Sequence, residues 1–205
     1  MKALTLVVAA TLAGIVAGCT APRTPSPEPT SSAAEIAIGA LAAGRYTNSQ
    51  FTPRIEVEVP AGWLTYHLSR DFFDVAIGVE DGPVAVMFLR PIEILTPTGE
   101  RRVTEPTVAI SMLEEHPGVT VSEPRAMDVD GFPGLEVDAA FARDNTHVMR
   151  VSEGDIGFGP QNDVRLTYVE TDAGLLVIGL NAPAGNLNEA ERLSEDVRAS
   201  IRIGD

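Results

Sequence analysis

The chain has 205 residues, with 15 Lys and Arg against 29 Asp and Glu, and a formal net charge of -14 at pH 7. This length predicts one domain with appendages rather than a multidomain enzyme. The negative charge argues against a nucleic-acid partner, because binding to phosphates requires clustered Lys and Arg. The single Cys excludes a disulfide-stapled scaffold and a four-thiolate zinc site.

The N-terminal segment predicts where the protein is located. Met1 and Lys2 precede an apolar stretch over residues 3–17, which is too short for a transmembrane helix of roughly 20 residues and is typical of a secretory signal. The stretch ends in Val16–Cys19 (VAGC), which resembles the lipobox of bacterial lipoproteins, whose Cys is lipidated and becomes the new N-terminus. An ordinary signal peptide with a chance Cys is the alternative.

Lipidation of Cys19 would hold the mature protein on the outer face of the cytoplasmic membrane, since two or more acyl chains anchor a protein firmly. It would also consume the only thiol of the chain. The acidic body is repelled by anionic lipid. We therefore expect a lipoprotein signal peptide over residues 1–18 and a membrane contact made through the lipid on Cys19.

A tether is predicted between the lipid and the fold. Residues 20–34 (TAPRTPSPEPTSSAA) contain four Pro among small polar residues and cannot bury enough apolar surface to fold. Residues 35–44 (EIAIGALAAG) are open between a frayed helix and more linker. We assign residues 19–44 to the lipidated Cys and tether, and residues 45–205 to a single α+β domain.

Short apolar runs then predict strands. Residues 55–59 (IEVEV) alternate apolar and acidic side chains, as a half-buried strand does. Further strands are predicted at residues 63–68, 72–79, 84–90, 119–129, 134–141 and 147–152. Residues 164–170 and 175–180 flank a turn and predict a hairpin. Residues 154–160 (GDIGFGP) predict a flexible loop or lid, because nothing places this Gly-x-Gly between a strand and a helix.

Two helices are predicted at widely separated points. The first opens at Glu105-Pro106 with Thr104 as a cap and ends at Pro117-Gly118. The second is capped by Asn186 or Asn188 and extends to about Ser200, with an apolar stripe that needs a sheet to cover. This order of elements predicts an antiparallel β-sheet with a few covering helices.

Several motifs resemble secreted lipoproteins of high-GC Gram-positive bacteria. They are Gly44–Tyr46 (GRY), Phe51–Pro53 (FTP), Val59–Trp63 (VPAGW), Leu113–Pro117 (LEEHP) and Val129–Leu135 (VDGFPGL). Their order is similar to that of the PsbP-like domain. The resemblance implies a sheet covered by a C-terminal helix and a binding or accessory role rather than catalysis. The motifs consist largely of turn and packing residues, so no functional residue is transferred.

The candidate catalytic and metal-binding residues are few. Neither Gly-x-Ser-x-Gly nor Ser-x-x-Lys occurs. No two of His67, His116 and His147 have i, i+4 spacing, so no zinc motif is formed, and His116 at a helix end is interpreted as a dipole partner. Trp63 and Tyr66, three residues apart in one predicted strand, lie on opposite faces and are interpreted mainly as packing residues.

Acidic residues leave two further possibilities open. Asp128–Gly131 (DVDG) offers two carboxylates and a turn Gly, but Val137 stands where an EF-hand loop needs Glu. We interpret this segment as a solvated hairpin turn. A weak calcium site built from Asp71 and Asp74, or from Glu80-Asp81, stays open, as does a pair of carboxylates for glycoside hydrolysis.

The sequence therefore predicts a membrane-tethered extracytoplasmic lipoprotein with a non-catalytic binding or accessory domain and no cofactor. Its partner would be a protein or a small hydrophobic or lipidic ligand. The alternatives are a cell-envelope hydrolase that uses carboxylates and a surface protein without a specific ligand. An apolar cavity favours a small ligand, an exposed apolar patch favours a protein, and a cleft with acids of shifted pKa favours an enzyme.

Overall fold

The structure is a computed structural model that describes residues 32–204. The predicted signal peptide, Cys19 and the part of the predicted tether before residue 32 lie outside the described residues. The helices are α1 (Pro106–Glu114) and α2 (Leu187–Ala199). The strands, in chain order, are β1 (Ala34–Glu35), β2 (Gly39–Ala40), β3 (Gly44–Thr47), β4 (Arg54–Val59), β5 (Leu64–Thr65), β6 (Phe72–Val79), β7 (Gly82–Leu89), β8 (Glu93–Thr96), β9 (Gly99–Arg101), β10 (Val119–Val121), β11 (Arg125–Val129), β12 (Phe132–Phe141), β13 (Thr146–Val151), β14 (Gly154–Phe158), β15 (Asn162–Thr171), β16 (Gly174–Pro183) and β17 (Arg202–Gly204).

A nine-stranded sheet forms the centre of the fold. Its strand order is β10-β12-β15-β16-β7-β6-β5-β2, and β11 pairs with the same edge of β12 as β10. Two four-stranded sheets, β1-β3-β4-β17 and β14-β13-β8-β9, accompany it. Apart from the parallel pair β1–β3, the strand pairs are antiparallel. The predicted α+β class, with antiparallel sheets and covering helices, is confirmed.

The hairpin β15–β16 and strand β7 lie in the middle of the central sheet. The hairpin pairs from Asn162↔Pro183 to Thr171↔Gly174, and β16 then pairs with β7 from Val177↔Leu89 to Asn181↔Ala85. Residues 84–90 were predicted as a central strand because their apolarity is nearly continuous. That prediction is confirmed, since a strand buried on both faces needs apolar side chains at successive positions.

Each face of the central sheet covers its own apolar core. One core packs side chains from the sheet against α1, β8, β13 and β14, and includes Val137, Leu166, Tyr168, Ile110, Leu113 and Met149. The other packs the opposite face against α2, β3, β4 and β17, and includes Phe73, Phe88, Ile178, Ile55, Val57, Val59 and Val197. Alternation of side chains along each strand divides the sequence between these two cores.

The two helices follow the predicted positions with different caps. Pro106 is the first residue of α1, as predicted, but the N-cap position is Glu105 rather than Thr104. Asn186 occupies the N-cap position of α2, but its side chain makes no capping hydrogen bond; its amide donates to Asp81. The buried residues Ala190, Ser194 and Val197 form the stripe that α2 turns toward the core.

The folded part begins earlier than the predicted start near Arg45. Ala34 pairs with Tyr46, and Ile36 is 2% exposed, with its N–H donating to the carbonyl oxygen of Thr47. Residues 35–44 are therefore neither a helix nor a linker but two short strands and their connection. The local sequence shows no alternation typical of a strand here, because β1 and β2 are each only two residues long. They form strands only by pairing with β3 and β5.

Other segments differ from the prediction too. The strand predicted at residues 63–68 shrinks to β5, the strand at 119–129 is split into β10 and β11, and the hairpin β8–β9 was not predicted. Residues 154–160, predicted as a loop or lid, contain β14, which pairs with β13. A Cβ on Gly157 would lie 2.5 Å from the His147 ring, so this Gly permits close strand packing rather than flexibility.

Candidate functional site

A groove lies on the α2 side of the central sheet, between the end of α2 and the hairpin β11–β12. We call it the α2 groove. Its volume is about 260 Å³. The groove is lined by Met127, Asp128, Val129, Asp130, Thr167, Ile178, Arg198, Ala199, Ile201 and Arg202.

The turn of this hairpin uses the residues that the sequence marked as a hairpin turn. Asp130 and Gly131 have φ angles of 55° and 86°, as the two central residues of a type I′ turn require. The Asp128 carboxylate accepts the Gly131 N–H at 2.8 Å, and Asp130 accepts the Ile203 N–H at 2.8 Å. Both carboxylates thus bind backbone within the fold, and the predicted hairpin turn is confirmed.

A network of charged side chains lies beside the groove on β12, β15 and α2. Glu136 is 4% exposed, and its Oε2 accepts hydrogen bonds from Arg198 at 2.7 Å and from Thr167 at 3.0 Å. Arg165 donates to Asp138 at 2.6 Å and pairs with Glu191 at 2.7 Å. The strand register brings these groups together, because it aligns residue 136 with 167 and residue 138 with 165.

The pKa shifts of three acids show the effect of pairing with Arg. Burial alone would raise the pKa of Asp138, but hydrogen bonds from Arg165 and Arg125 outweigh it and lower the pKa. A hydrogen bond from Arg150 lowers the pKa of Asp155, and one from Arg192 lowers the pKa of Glu189. A carboxyl group acting as a general acid needs the opposite shift, so these three acids have the character of ion-pair partners.

Strand β11 forms an open edge next to the groove. Residues 125–128 are exposed, including Met127 at 37%. The two-residue turn makes Val129 and Phe132 a hydrogen-bonded pair, so residues 125, 127 and 129 direct their backbone groups toward β12. Ala126 and Asp128 therefore direct their N–H and C=O groups outward, and no other backbone partner for them occurs within residues 32–204.

A second group of side chains that could take part in a reaction connects the residues after β5 with strand β6. Asp74 is buried; its Oδ1 accepts the N–H groups of Tyr66 at 2.9 Å and His67 at 3.0 Å. Its Oδ2 lies 2.8 Å from Nδ1 of His67, whose ring stacks on Phe72. The side chain of His67 is 59% exposed, so a fixed imidazole faces solvent. Sequence reasoning missed this pair, since no motif marks a His and an Asp seven residues apart.

The other residues singled out by the sequence are separated. Asp71 does not join Asp74; it is buried and accepts hydrogen bonds from the N–H and Oγ of Ser152, both at 2.8 Å. His116, interpreted from the sequence as a partner of the helix dipole, directly follows the C-cap of α1; it is buried, and its Nε2 lies 2.9 Å from the Leu95 carbonyl oxygen. His147 lies 3.8 Å from Asp155.

The two aromatic candidates have different environments. Trp63 is buried, which confirms its predicted packing role, whereas Tyr66 is 52% exposed. Tyr66 directly follows β5, and the exposed Ile38 directly precedes β2, its partner strand. In the part of the chain that the structure describes, no three His, Cys, Asp or Glu side chains converge as metal ligands. No helix there is both long and apolar enough to span a bilayer.

Comparison with known proteins shows that this chain is similar to solved structures only. No protein-family model matches the chain, and a search of curated proteins gives no match. A solved structure of LpqN, described as involved in cell envelope biogenesis of Mycobacterium tuberculosis, is 14% identical with a TM-score of 0.45, covering 74% of this chain and 83% of that chain. Cyanobacterial PsbP from Synechocystis sp. PCC 6803 is 16% identical with a TM-score of 0.45, covering 86% and 99%. Likeness at this level carries no argument about function.

Proposed function

We propose that the protein is a lipid-anchored, extracytoplasmic lipoprotein whose folded domain is a non-catalytic binding module for a protein partner. The signal segment ending at Cys19 supports the anchor. The observation that carries the binding role is the open edge of β11, which presents free backbone groups and the exposed Met127 beside the α2 groove. Exposed edges of this kind are normally covered or blocked.

The chemistry of the α2 groove favours a protein over a small charged ligand. Arg198 is bonded to Glu136, Asp130 to the Ile203 N–H, and Asp128 to the Gly131 N–H. A small charged ligand would have to compete with these internal partners. A protein segment can instead use the backbone groups of β11, which are free, and cover Met127.

A photo-crosslinking amino acid placed at Met127 in the full chain, in cells that produce it, tests the binding role. We expect a discrete crosslinked protein from this position and none from a matched probe at Asp172, at the tip of the hairpin β15–β16. Equal crosslinking from both positions, or from neither, would contradict binding at this edge. Identification of the captured protein by mass spectrometry would name the partner.

Cell fractionation tests the anchor. Cys19→Ser removes the lipid acceptor, so we expect the protein to leave the membrane fraction, while the conservative control Thr24→Ser should stay with the membrane. Metabolic labelling with a palmitate analogue should mark the control and not the Cys19→Ser variant. Retention of the variant in the membrane would show that another feature holds the protein there.

A small hydrophobic ligand is the alternative to a protein partner, and one cleft of the structure supports it. A cleft of about 280 Å³ is lined mainly by apolar atoms of Pro53, Phe132, Ala173 and Ile203. Native mass spectrometry of the freshly purified full chain tests this alternative, because a bound molecule adds its own mass. A co-purifying molecule that is lost on Phe132→Ala would replace the protein partner as the proposed ligand.

The second candidate function is that of a hydrolase, and the His67–Asp74 pair favours it. A His held by a buried carboxylate is the arrangement of a general base in many hydrolases. Hydrolysis of a p-nitrophenyl ester by the full chain should then be lost in His67→Gln and Asp74→Asn. His147→Gln serves as the control, because His147 is also exposed and near a carboxylate. A rate equal to that of buffer would exclude this activity for the ester tested.

A further inference from the structure

The backbone groups and charges of the β11 edge indicate how a partner protein would bind there. We propose that β11 receives an extended, basic segment of a partner protein as an added antiparallel or parallel strand. This inference rests on the proposed function and names the surface and the chemistry of the partner. β10 occupies the other end of the same edge of β12, so the added strand would extend the central sheet along β11.

The backbone geometry supplies the hydrogen bonds. The N–H and C=O groups of Ala126 and Asp128 face away from β12, and all residues of β11 before Val129 are exposed. An added strand satisfies these four groups at once, which is how strand addition gains affinity. Met127 points to the α2 side of the sheet, so an apolar side chain of the added strand on that side would cover it.

The charges along the edge select a basic segment. Glu123, just before β11, is exposed and makes no ion pair within the described residues. Asp128 is exposed too; its carboxylate accepts the Gly131 N–H and has further lone pairs that can accept from a cation. Arg125, the only cation of β11, is already bound to Glu136 and Asp138. The free charge of the edge is thus negative, and Lys or Arg opposite Asp128 would form a favourable cross-strand pair.

The same charges disfavour a second copy of this chain as the occupant. Two chains with a formal net charge of -14 each repel one another. A basic partner removes this repulsion, and the acidic protein would attract it over a range of roughly one Debye length.

The test uses the full chain in detergent and a labelled synthetic peptide of about nine residues that alternates Lys and Val, a length typical of a strand. We expect binding by fluorescence anisotropy, together with slower hydrogen exchange at the Ala126 and Asp128 amides. A peptide alternating Glu and Val should bind at least about tenfold more weakly. Equal binding of both peptides would overturn the charge argument.

Ala126→Pro tests the edge itself. Its N–H faces outward, so Pro removes no hydrogen bond to β12 and is tolerated at such an edge position, while it blocks an added strand. We expect affinity for the basic peptide to fall about tenfold or more, with an unchanged circular dichroism spectrum. Undiminished binding by a folded Ala126→Pro variant would overturn the proposal.

A charge variant keeps the proposal testable if Ala126→Pro does not fold. Glu123→Lys should weaken binding of the basic peptide several-fold, and Glu170→Lys, an exposed Glu on β15, should leave it unchanged. Equal effects of the two variants would overturn the selection of a basic segment at this edge. Concentration-dependent dimerisation abolished by Ala126→Pro would instead identify a second copy as the occupant. A partner crosslinked at Met127 that still binds Ala126→Pro would overturn strand addition and leave the proposed function intact.

Discussion

The two faces of strands β12 and β15 bury different chemistry. On one face, Val137, Leu166 and Tyr168 pack into an apolar core with α1 and the sheet that contains β13. On the other, Glu136 and Arg165 belong to a charged network with Arg198 of α2. These side chains alternate along the same two strands, so neighbours in the sequence have opposite surroundings.

The difference follows from what covers each face. α1 and the small sheet close the apolar face, whereas α2 packs mainly on β16, β7 and β4 and reaches β15 only at its flank. The part of β15 that α2 leaves uncovered, around Thr167, lies next to solvent in the α2 groove. Charged groups there stay paired, since a buried charge without a partner is costly. The network therefore fixes the position of α2 beside the groove, while the apolar core supplies the bulk of the burial.

The largest expected effect comes from breaking the charged face. Glu136→Ala removes the buried carboxylate that binds Arg198, Thr167 and Arg125, and it leaves the largely buried Arg198 with only a 3.8 Å contact to Glu191. We expect the free energy of unfolding to fall by about 3 to 5 kcal/mol, measured by urea denaturation. The exposed control Glu170→Ala should change it by less than about 0.5 kcal/mol.

A combined variant sharpens this prediction. Replacing Glu136 and Arg198 together by Met removes the buried carboxylate along with the cation that it binds at 2.7 Å, while Arg165 keeps Asp138 and Glu191 as partners. Much of the lost stability should return, because apolar groups of similar volume often replace buried ion pairs without loss. A combined variant less stable than Glu136→Ala would contradict this explanation.

The apolar face should respond somewhat less. Leu166 is fully buried, and Leu166→Ala deletes its side chain without leaving a charge. We expect a loss of about 3 kcal/mol, within the range for large-to-small core changes. Met in place of Leu166 should cost less than about 1.5 kcal/mol, since it nearly conserves volume. A smaller loss for Leu166→Ala than for Leu166→Met would contradict the packing argument.

Acid should weaken the charged face selectively. The pKa of Asp138 is lowered from its ordinary value of 3.8, because hydrogen bonds from Arg165 and Arg125 outweigh the opposing effect of burial. Its stabilising contribution is therefore full above pH 3.8 and is lost as pH falls through the lower folded-state pKa. Asp138→Asn should flatten the decline of Tm below pH 4, and an equal decline in both proteins would contradict this assignment.

The smallest effect is expected at the exposed end of the network. Arg125 is about half exposed in its side chain and pairs with Glu136 and Asp138. Arg125→Ala should cost less than about 1 kcal/mol, as exposed ion pairs do, and added salt should reduce the difference. A loss comparable to that of Glu136→Ala would place Arg125 among the buried members of the network.

Local pattern was sufficient for many strands of this fold. The alternation of residues 55–59, the run at 84–90 and the turn between β15 and β16 lead to β4, β7 and the central hairpin. Residues 34–44 and 154–158 were not recognised as strands. Their Ala and Gly content carries no strand pattern, and their pairing depends on residues far along the chain or on a close approach at Gly157.

The candidate sites were less accessible from the sequence than the fold. The turn at Asp128–Gly131 could be predicted because its residues specify their own backbone geometry. The network around Glu136 could not, since it joins residues separated by up to 62 positions. The pairing of His67 with Asp74 also depends on how β5 meets β6.

The sequence by itself determined the fold class, most of the strands, both helices and the hairpin turn, because apolar periodicity and turn residues act over short distances. It also carries the prediction of a lipid anchor at Cys19. Tertiary structure decided which polar residues meet, which edge of the central sheet is left open and where α2 leaves a groove. Those features depend on strand register and on which surface each layer covers, and both are set by contacts between distant parts of the chain.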